Sequence, residues 1–234
     1  MCARVALEGA SVLEIGCGDG FLTSTILQHP VKGLQVIEID PEWVAFVQKT
    51  YPDPRLCVLE QDFLQFSLKT LKGQAPLTVL ANIPYNITFP ILERLRANAS
   101  LLAEGVVMVQ EEVAQKLVAT SGRSFGFYSI YFRHVFECEL LVKIPPTAFF
   151  PPPKVHSRLV YFKPRATRPV VVNEEKFWVF IKACFGQPRR MLKHNLLAGG
   201  YDMTKIPEAT LLLRAQQIPA AQLYELWDLV RMPA

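Results

Sequence analysis

The residues of this sequence best suited to chemistry are Asn82-Ile83-Pro84-Tyr85, which end an apolar run from Leu77 to Ala81. Such a run reads as a buried parallel strand. At its end an amide oxygen and a backbone carbonyl can accept the two N–H groups of an exocyclic amine. Pro84 would fix the turn, and Tyr85 would offer a flat face to a nucleobase ring. Alone, the tetrapeptide is equally compatible with an ordinary strand-to-loop turn carrying a surface tyrosine.

A second cluster lies upstream. Glu14-Ile15-Gly16-Cys17-Gly18-Asp19-Gly20 closes one apolar run and opens a helical pattern, so Gly16 and Gly18 could let a ligand approach the backbone at a helix start. Glu38 follows about 20 residues later, at the end of the next run, where a carboxylate can accept both ribose hydroxyls, with Ile39 beside it. Asp62, in Gln61-Asp62-Phe63 after the third run, could accept from an adenine amine with Phe63 beside the ring. Each carboxylate taken singly could be a helix cap or a solvated strand end. Together they fall at the carboxyl ends of successive strands, where open α/β sheets bind ligands. Asp40 before Pro41 reads instead as a helix N-cap.

The elements that must hold these residues alternate. Strand-like runs at Ser11–Ile15, Gln35–Ile39, Leu56–Glu60, Leu77–Ala81 and Val106–Gln110 are separated by helical patterns at Phe21–Gln28, Pro41–Thr50, Ile87–Asn98 and Glu111–Ala119. This predicts an α/β fold with a doubly wound, mostly parallel sheet. Glu139–Ile144 and Arg158–Phe162 have no helix between them and suit an antiparallel closing hairpin. The loop joining them carries Pro145, Pro146, Pro151, Pro152 and Pro153, which should keep it stiff and irregular. Pro164–Val172 reads as a linker. Helical periodicity at Glu174–Phe185, Pro188–Leu197 and Ala220–Val230 predicts a small all-helical domain, with Phe177, Trp178, Phe180, Ile181 and Phe185 as its core. The division is 1–165 for the sheet domain and 173–234 for the helical one.

The bulk properties exclude several classes. At 234 residues, half hydrophobic and a fifth charged, the chain has the composition of a globular protein, with no apolar run suited to spanning a membrane and no secretory signal pattern. Its five cysteines, odd in number and widely spaced, suit neither a disulfide framework nor zinc, and a reducing interior is expected. The net charge of +4 names no partner, but basic residues cluster: Lys154, Arg158, Lys163, Arg165 and Arg168 in one stretch, Arg189, Arg190 and Lys193 in another. Such clusters can follow phosphates, or simply form a solvated face.

Taken together, the Glu14–Gly20 turn, Glu38, Asp62, Asn82-Ile83-Pro84-Tyr85-Asn86-Ile87, Phe149-Phe150-Pro151-Pro152-Pro153-Lys154-Val155-x-Ser157 and Phe185-Gly186-Gln187-Pro188-Arg189-Arg190-Met191-Leu192-Lys193 resemble the ribosomal RNA adenine N6,N6-dimethyltransferases. The proline loop and the Arg-Arg-x-Leu-Lys segment are most similar to the housekeeping branch acting on small-subunit ribosomal RNA. The resemblance implies a Rossmann-like methyltransferase sheet with S-adenosylmethionine as cofactor. Gly16 and Gly18 would lie near its methionine part, Glu38 and Ile39 at the ribose, and Asp62, Phe63 and Asn82 around the adenine and the methyl-transfer point. Asn82 with the carbonyl of Ile83 or Pro84 would hold the target amine, and Tyr85 and Phe150 would sandwich the flipped adenine. Lys154, Arg158, Arg189, Arg190 and Lys193 would contact RNA.

The implied activity is dimethylation of two adjacent adenosines near the 3′ end of small-subunit ribosomal RNA within the immature subunit, by a cytoplasmic monomer without metal. Alternatives are a non-catalytic assembly factor, an organellar transcription-associated relative, and a large-subunit enzyme of the macrolide-resistance type. Intact Glu38, Asp62, Asn82 and Tyr85 favour the enzyme. Family members also carry a basic Phe-Gly-Gln-x-Phe-type segment and a helix before the first strand. Met1 to Ala10 hold no such motif, so a shortened form or a misassigned start is expected, natural loss being the other reading. Either would leave cofactor bound more weakly than in a chain with the segment.

Overall fold

The computed structural model describes residues 1–231; residues 232–234, the end of the expected helical segment, lie outside them. The first strand, β1 (Ser11–Ile15), is buried along its whole length, and β4 (Leu77–Asn82) is buried up to its exposed last residue, Asn82. A strand buried on both faces needs helices above and below it, which is the situation of a parallel sheet. Accordingly β1 pairs in parallel with β2 (Gly33–Glu38) and with β4; β2 pairs with β3 (Leu56–Glu60), and β4 with β5 (Leu102–Gln110).

Two further strands, β6 (Phe136–Ile144) and β7 (Ser157–Pro164), form the expected antiparallel hairpin, and β7 pairs antiparallel with β5. The seven strands among the described residues lie in the order β3-β2-β1-β4-β5-β7-β6. This is a Rossmann-like α/β sheet whose strand order reverses between β1 and β4. A crevice opens at that point, at the carboxyl ends of the strands.

The helices between strands are α1 (Phe21–Leu27), α2 (Pro41–Thr50), α3 (Thr88–Ala97) and α4 (Glu111–Val118). Asp40 caps α2, accepting the Glu42 N–H at 2.8 Å with Pro41 in the first turn. Strand β5 begins at Leu102, earlier than apolar patterning predicts, because Glu104 and Gly105 interrupt the run. Gly105 is needed there: a Cβ would stand 2.5 Å from the Phe162 ring and 2.8 Å from the Val79 carbonyl. The proline loop is less irregular than expected, since Pro146–Ala148 form a 3-10 turn.

The chain divides into two compact units. One comprises Met1–Ala114 and Val135–Ala166 and carries the sheet; the other comprises Gln115–His134 and the chain from Thr167. The second unit gathers α5 (Phe127–Arg133), α6 (Glu174–Cys184), α7 (Leu192–Ala198), α8 (Glu208–Leu211) and α9 (Ala220–Val230). Phe125 and Ile130 share its core with Phe177, Phe180, Ile181, Leu192 and Trp227, while Trp178 and Phe185 pack partly buried against it. Sequence patterning shows no sign of the excursion through 115–134, because the aromatic run of α5 is too short to display a helical period.

Candidate active site

One open cleft of about 1390 Å³ occupies the switch point, lined by the turns after β1, β2, β3 and β4 and by the proline loop. It exceeds the 300–1,000 Å³ of an ordinary small-molecule pocket, so two ligands can meet in it. Gly16 and Gly18 sit on its wall at φ of +70° and +51°, and a Cβ on either would meet nothing within 4 Å. The backbone there faces open space, a cradle suited to a ligand that lies along the chain.

Glu38 is buried beside this cradle, 7% exposed. One carboxylate oxygen accepts the N–H groups of Ile39 at 2.8 Å and Asp40 at 3.0 Å. The other accepts Gly18 N–H at 3.1 Å and the Cys17 thiol at 3.7 Å. Burial, with Glu38 and Glu14 nearby, pushes the Cys17 thiol up to about 12, so it stays a neutral donor. Ile39 is 65% exposed on the cleft rim. Asp62 accepts the Leu64 N–H at 2.8 Å on one oxygen and the Gln65 side-chain amide at 3.2 Å on the other, and Phe63 is buried yet among the lining residues. The thiol contact is the weakest of the four on Glu38 and leaves that oxygen able to accept a ribose hydroxyl, so with its apolar surround the cleft fits a nucleoside-bearing cofactor.

Beneath the cradle lies a residue to which sequence reasoning assigned no role. Glu14 is fully buried in β1; one oxygen accepts the Thr23 hydroxyl at 2.7 Å and the other has no partner. Burial raises its pKa to about 8, the Thr23 hydrogen bond opposing and the Glu38 charge adding to the rise. The signal was a lone acidic residue among the apolar side chains of a buried strand.

Across the crevice, β4 ends in the Asn82–Tyr85 turn. Ile83 N–H donates to the Met108 carbonyl at 3.2 Å, holding the turn to β5. The Pro84 carbonyl accepts the Ile87 N–H at 3.2 Å, and the Thr88 hydroxyl lies 3.2 Å from both the Pro84 and the Tyr85 carbonyls. Asn82 and Pro84 are exposed, Tyr85 is half-buried, and Phe150 on the proline loop is 100% exposed. Met108, Ile144 and Leu159 add apolar lining that the motifs did not reveal.

The basic residues do not share one setting. Arg158, expected to meet RNA, is a β7 residue whose guanidinium is spent within the sheet unit. It donates to both Glu111 carboxylate oxygens, at 2.8 and 3.1 Å, and to the Leu141 carbonyl at 2.9 Å. Lys154, Arg189 and Arg190 are exposed and Lys193 is half-buried. Arg189 and Arg190 lie on a turn before α7 rather than within the predicted helix from Pro188. Buried Asn195 holds that turn, accepting from Gln187 N–H at 3.2 Å and donating to the carbonyls of Cys184 at 2.8 Å and Gln187 at 3.2 Å.

A switch-point sheet with a glycine cradle on one side of its crevice and an amide-proline-tyrosine ledge on the other defines an α/β enzyme of nucleotide chemistry. Over residues 3–230 the sequence matches the ribosomal RNA adenine dimethylase family, and the chain belongs to that family of methyltransferases. It is 37% identical to ribosomal RNA small subunit methyltransferase A of Chlorobaculum parvum over 222 residues, covering 94% of this chain and 79% of that protein. With the protein of the same name in Chlorobaculum tepidum it shares 36% identity, covering 97% and 81%. Its fold is similar to a dimethyladenosine transferase of Plasmodium falciparum, with a TM-score of 0.75 at 22% identity, covering 94% of this chain and 90% of that one. The 23S rRNA methyltransferase ErmE aligns with a TM-score of 0.71 at 23% identity, covering 97% and 94%. Among the described residues no helix is long and apolar enough to cross a membrane.

Proposed function

We propose that this chain dimethylates N6 of two adjacent adenosines near the 3′ end of small-subunit ribosomal RNA, in the immature subunit, with S-adenosylmethionine as donor. The observation that carries this reading is one cleft lined both by the Gly16–Gly18 cradle with Glu38 and by the Asn82–Tyr85 turn. The names of the curated relatives, which specify the small subunit, support the choice of RNA.

Gly16, Gly18, Glu38, Ile39, Asp62 and Phe63 would hold the cofactor. Bound there, S-adenosylmethionine supplies a methyl group already activated by its sulfonium. The protein's part is to hold and polarise the acceptor. The Pro84 carbonyl already accepts the Ile87 N–H and lies within reach of the Thr88 hydroxyl, so the Ile83 carbonyl is the more available partner of the Asn82 amide oxygen.

Accepting from both N–H groups favours the pyramidal amine, whose lone pair is no longer delocalised, and stabilises the positive charge that develops on nitrogen. Tyr85 and Phe150 supply two stacking faces, each worth roughly 1–3 kcal/mol. After the first methyl is added one N–H remains, and exposed Asn82 presents no wall against the new group. Lys154, Arg189, Arg190 and Lys193 would contact phosphates and orient the RNA without reading bases.

Transfer of labelled methyl to small subunits lacking these methyl groups tests the reading. Asn82→Ala should lower transfer by about 100-fold or more while RNA binding persists. Unchanged transfer by that variant would refute it.

A further inference from the structure

Tyr85 has a hydroxyl that stacking does not require, and the structure shows where it goes. Its phenol oxygen is within hydrogen-bonding distance of the Ser157 hydroxyl, far along the chain at the start of β7. Ser157 is fully buried, whereas Tyr85 is half-buried and lines the cleft. The serine therefore serves this contact rather than solvent, and buried hydroxyls are kept where a partner satisfies them.

The backbone around Ser157 is also fixed. Ser157 sits opposite Gln110 in the β5–β7 ladder. On one side of it the His156 carbonyl accepts the Glu111 N–H at 2.9 Å; on the other, Arg158 is gripped by the Glu111 carboxylate. The proline loop carrying Phe150 ends at this anchored point.

We propose that Ser157 is a positioning residue of the acceptor pocket. Its hydroxyl fixes the rotation of the Tyr85 ring and joins the Asn82–Tyr85 turn to the root of the proline loop, so the two stacking faces keep one spacing. The same bond withholds the Tyr85 hydroxyl from the substrate, which leaves Tyr85 as a face and not a proton acceptor. This rests on the reading of Tyr85 as the stacking surface for a flipped adenine.

The test is a double-mutant cycle with Ser157→Ala and Tyr85→Phe, the second keeping the ring and removing only the hydroxyl. The readouts are kcat and KM for methyl transfer to unmethylated small subunits, and the Kd for S-adenosylmethionine by calorimetry. Each single variant should lower kcat about tenfold with the cofactor Kd unchanged, and the double variant should lose no more than either single. Full kcat in Tyr85→Phe, or losses that multiply in the double variant, would overturn the proposal. Asn82→Ala run alongside separates the two levels. If it too keeps full transfer, the base pocket itself is misplaced and the proposal falls with it; if it alone loses transfer, the pocket stands and only the Ser157 role is refuted.

Discussion

Replacing Glu14 with glutamine should make the stability of the sheet-bearing unit less sensitive to pH. In an unfolded chain this carboxyl loses its proton near 4.5, whereas burial in β1 holds the proton until about 8. Between those values the native state binds the extra proton. Stability from this group is therefore fully present below 4.5 and declines as pH rises, by about 1.4 kcal/mol per pH unit, until it levels off above 8. From about pH 5.5 to 7.5 the loss is about 3 kcal/mol, equivalent to roughly 6–10 °C in Tm for a protein of this size. The neighbouring groups leave the effect visible. Thr23 is neutral, the Cys17 thiol keeps its proton across the range, and Glu38 is common to both forms. A glutamine at position 14 can still accept from the Thr23 hydroxyl and has no proton to lose. Urea unfolding of both forms at the two pH values gives the difference in slope, with contributions common to the two proteins cancelling. Equal pH dependence in the two proteins would show that Glu14 is ionised in the fold, and would refute the argument from its burial.

Three other outcomes follow from the cationic side chains and from the turn that carries Arg189 and Arg190. Arg190→Ala should weaken RNA binding evenly across sequences and reduce the slope of log K against log salt by about one. Arg158→Lys should instead leave that slope unchanged and lower stability by about 1–3 kcal/mol, because lysine cannot reproduce the two-pronged contact with Glu111. Salt-series filter binding and urea unfolding separate the two effects. Asn195→Ala removes the side chain holding the turn before α7 and strands the Cys184 and Gln187 carbonyls. About 2 kcal/mol of stability should be lost, with RNA affinity falling through the loosened Arg189–Arg190 turn; unchanged stability by urea unfolding would refute that role for Asn195.

The parts of this fold legible in the sequence are those that local patterning dictates. Apolar runs locate β1 and β3 to the residue, Asp40-Pro41 marks the start of α2, and the lack of a helix between β6 and β7 forecasts their antiparallel pairing. The cleft-lining Gly16, Gly18, Glu38, Asp62 and Asn82 were legible because each ends a strand or lies in the turn after one. What escaped depends on partners distant in sequence. Gly105 reads as a break until Phe162 crosses it. Arg158 reads as one more cation in a basic stretch until β7 pairs with β5 and brings Glu111 against it. Helical periodicity from Pro188 ignores Asn195, whose side chain competes for the backbone of the preceding turn. Ser157 closes a recognisable proline motif, but nothing local reveals that its hydroxyl meets Tyr85, far away in sequence.

The chain leaves the sheet unit after Ala114, returns at Val135 and leaves again after Ala166. During synthesis, Phe125 and Ile130 thus emerge from the ribosome well before Phe177, Phe180 and Trp227, with which they share a core. For that interval two large apolar side chains have no companions, which is the kind of surface that recruits chaperones or aggregates. The same interleaving means that neither unit can be excised by a single cut. A fragment starting at Thr167 would carry the later helices without Phe125 and Ile130, and one ending at Ala166 would carry both side chains without their cover.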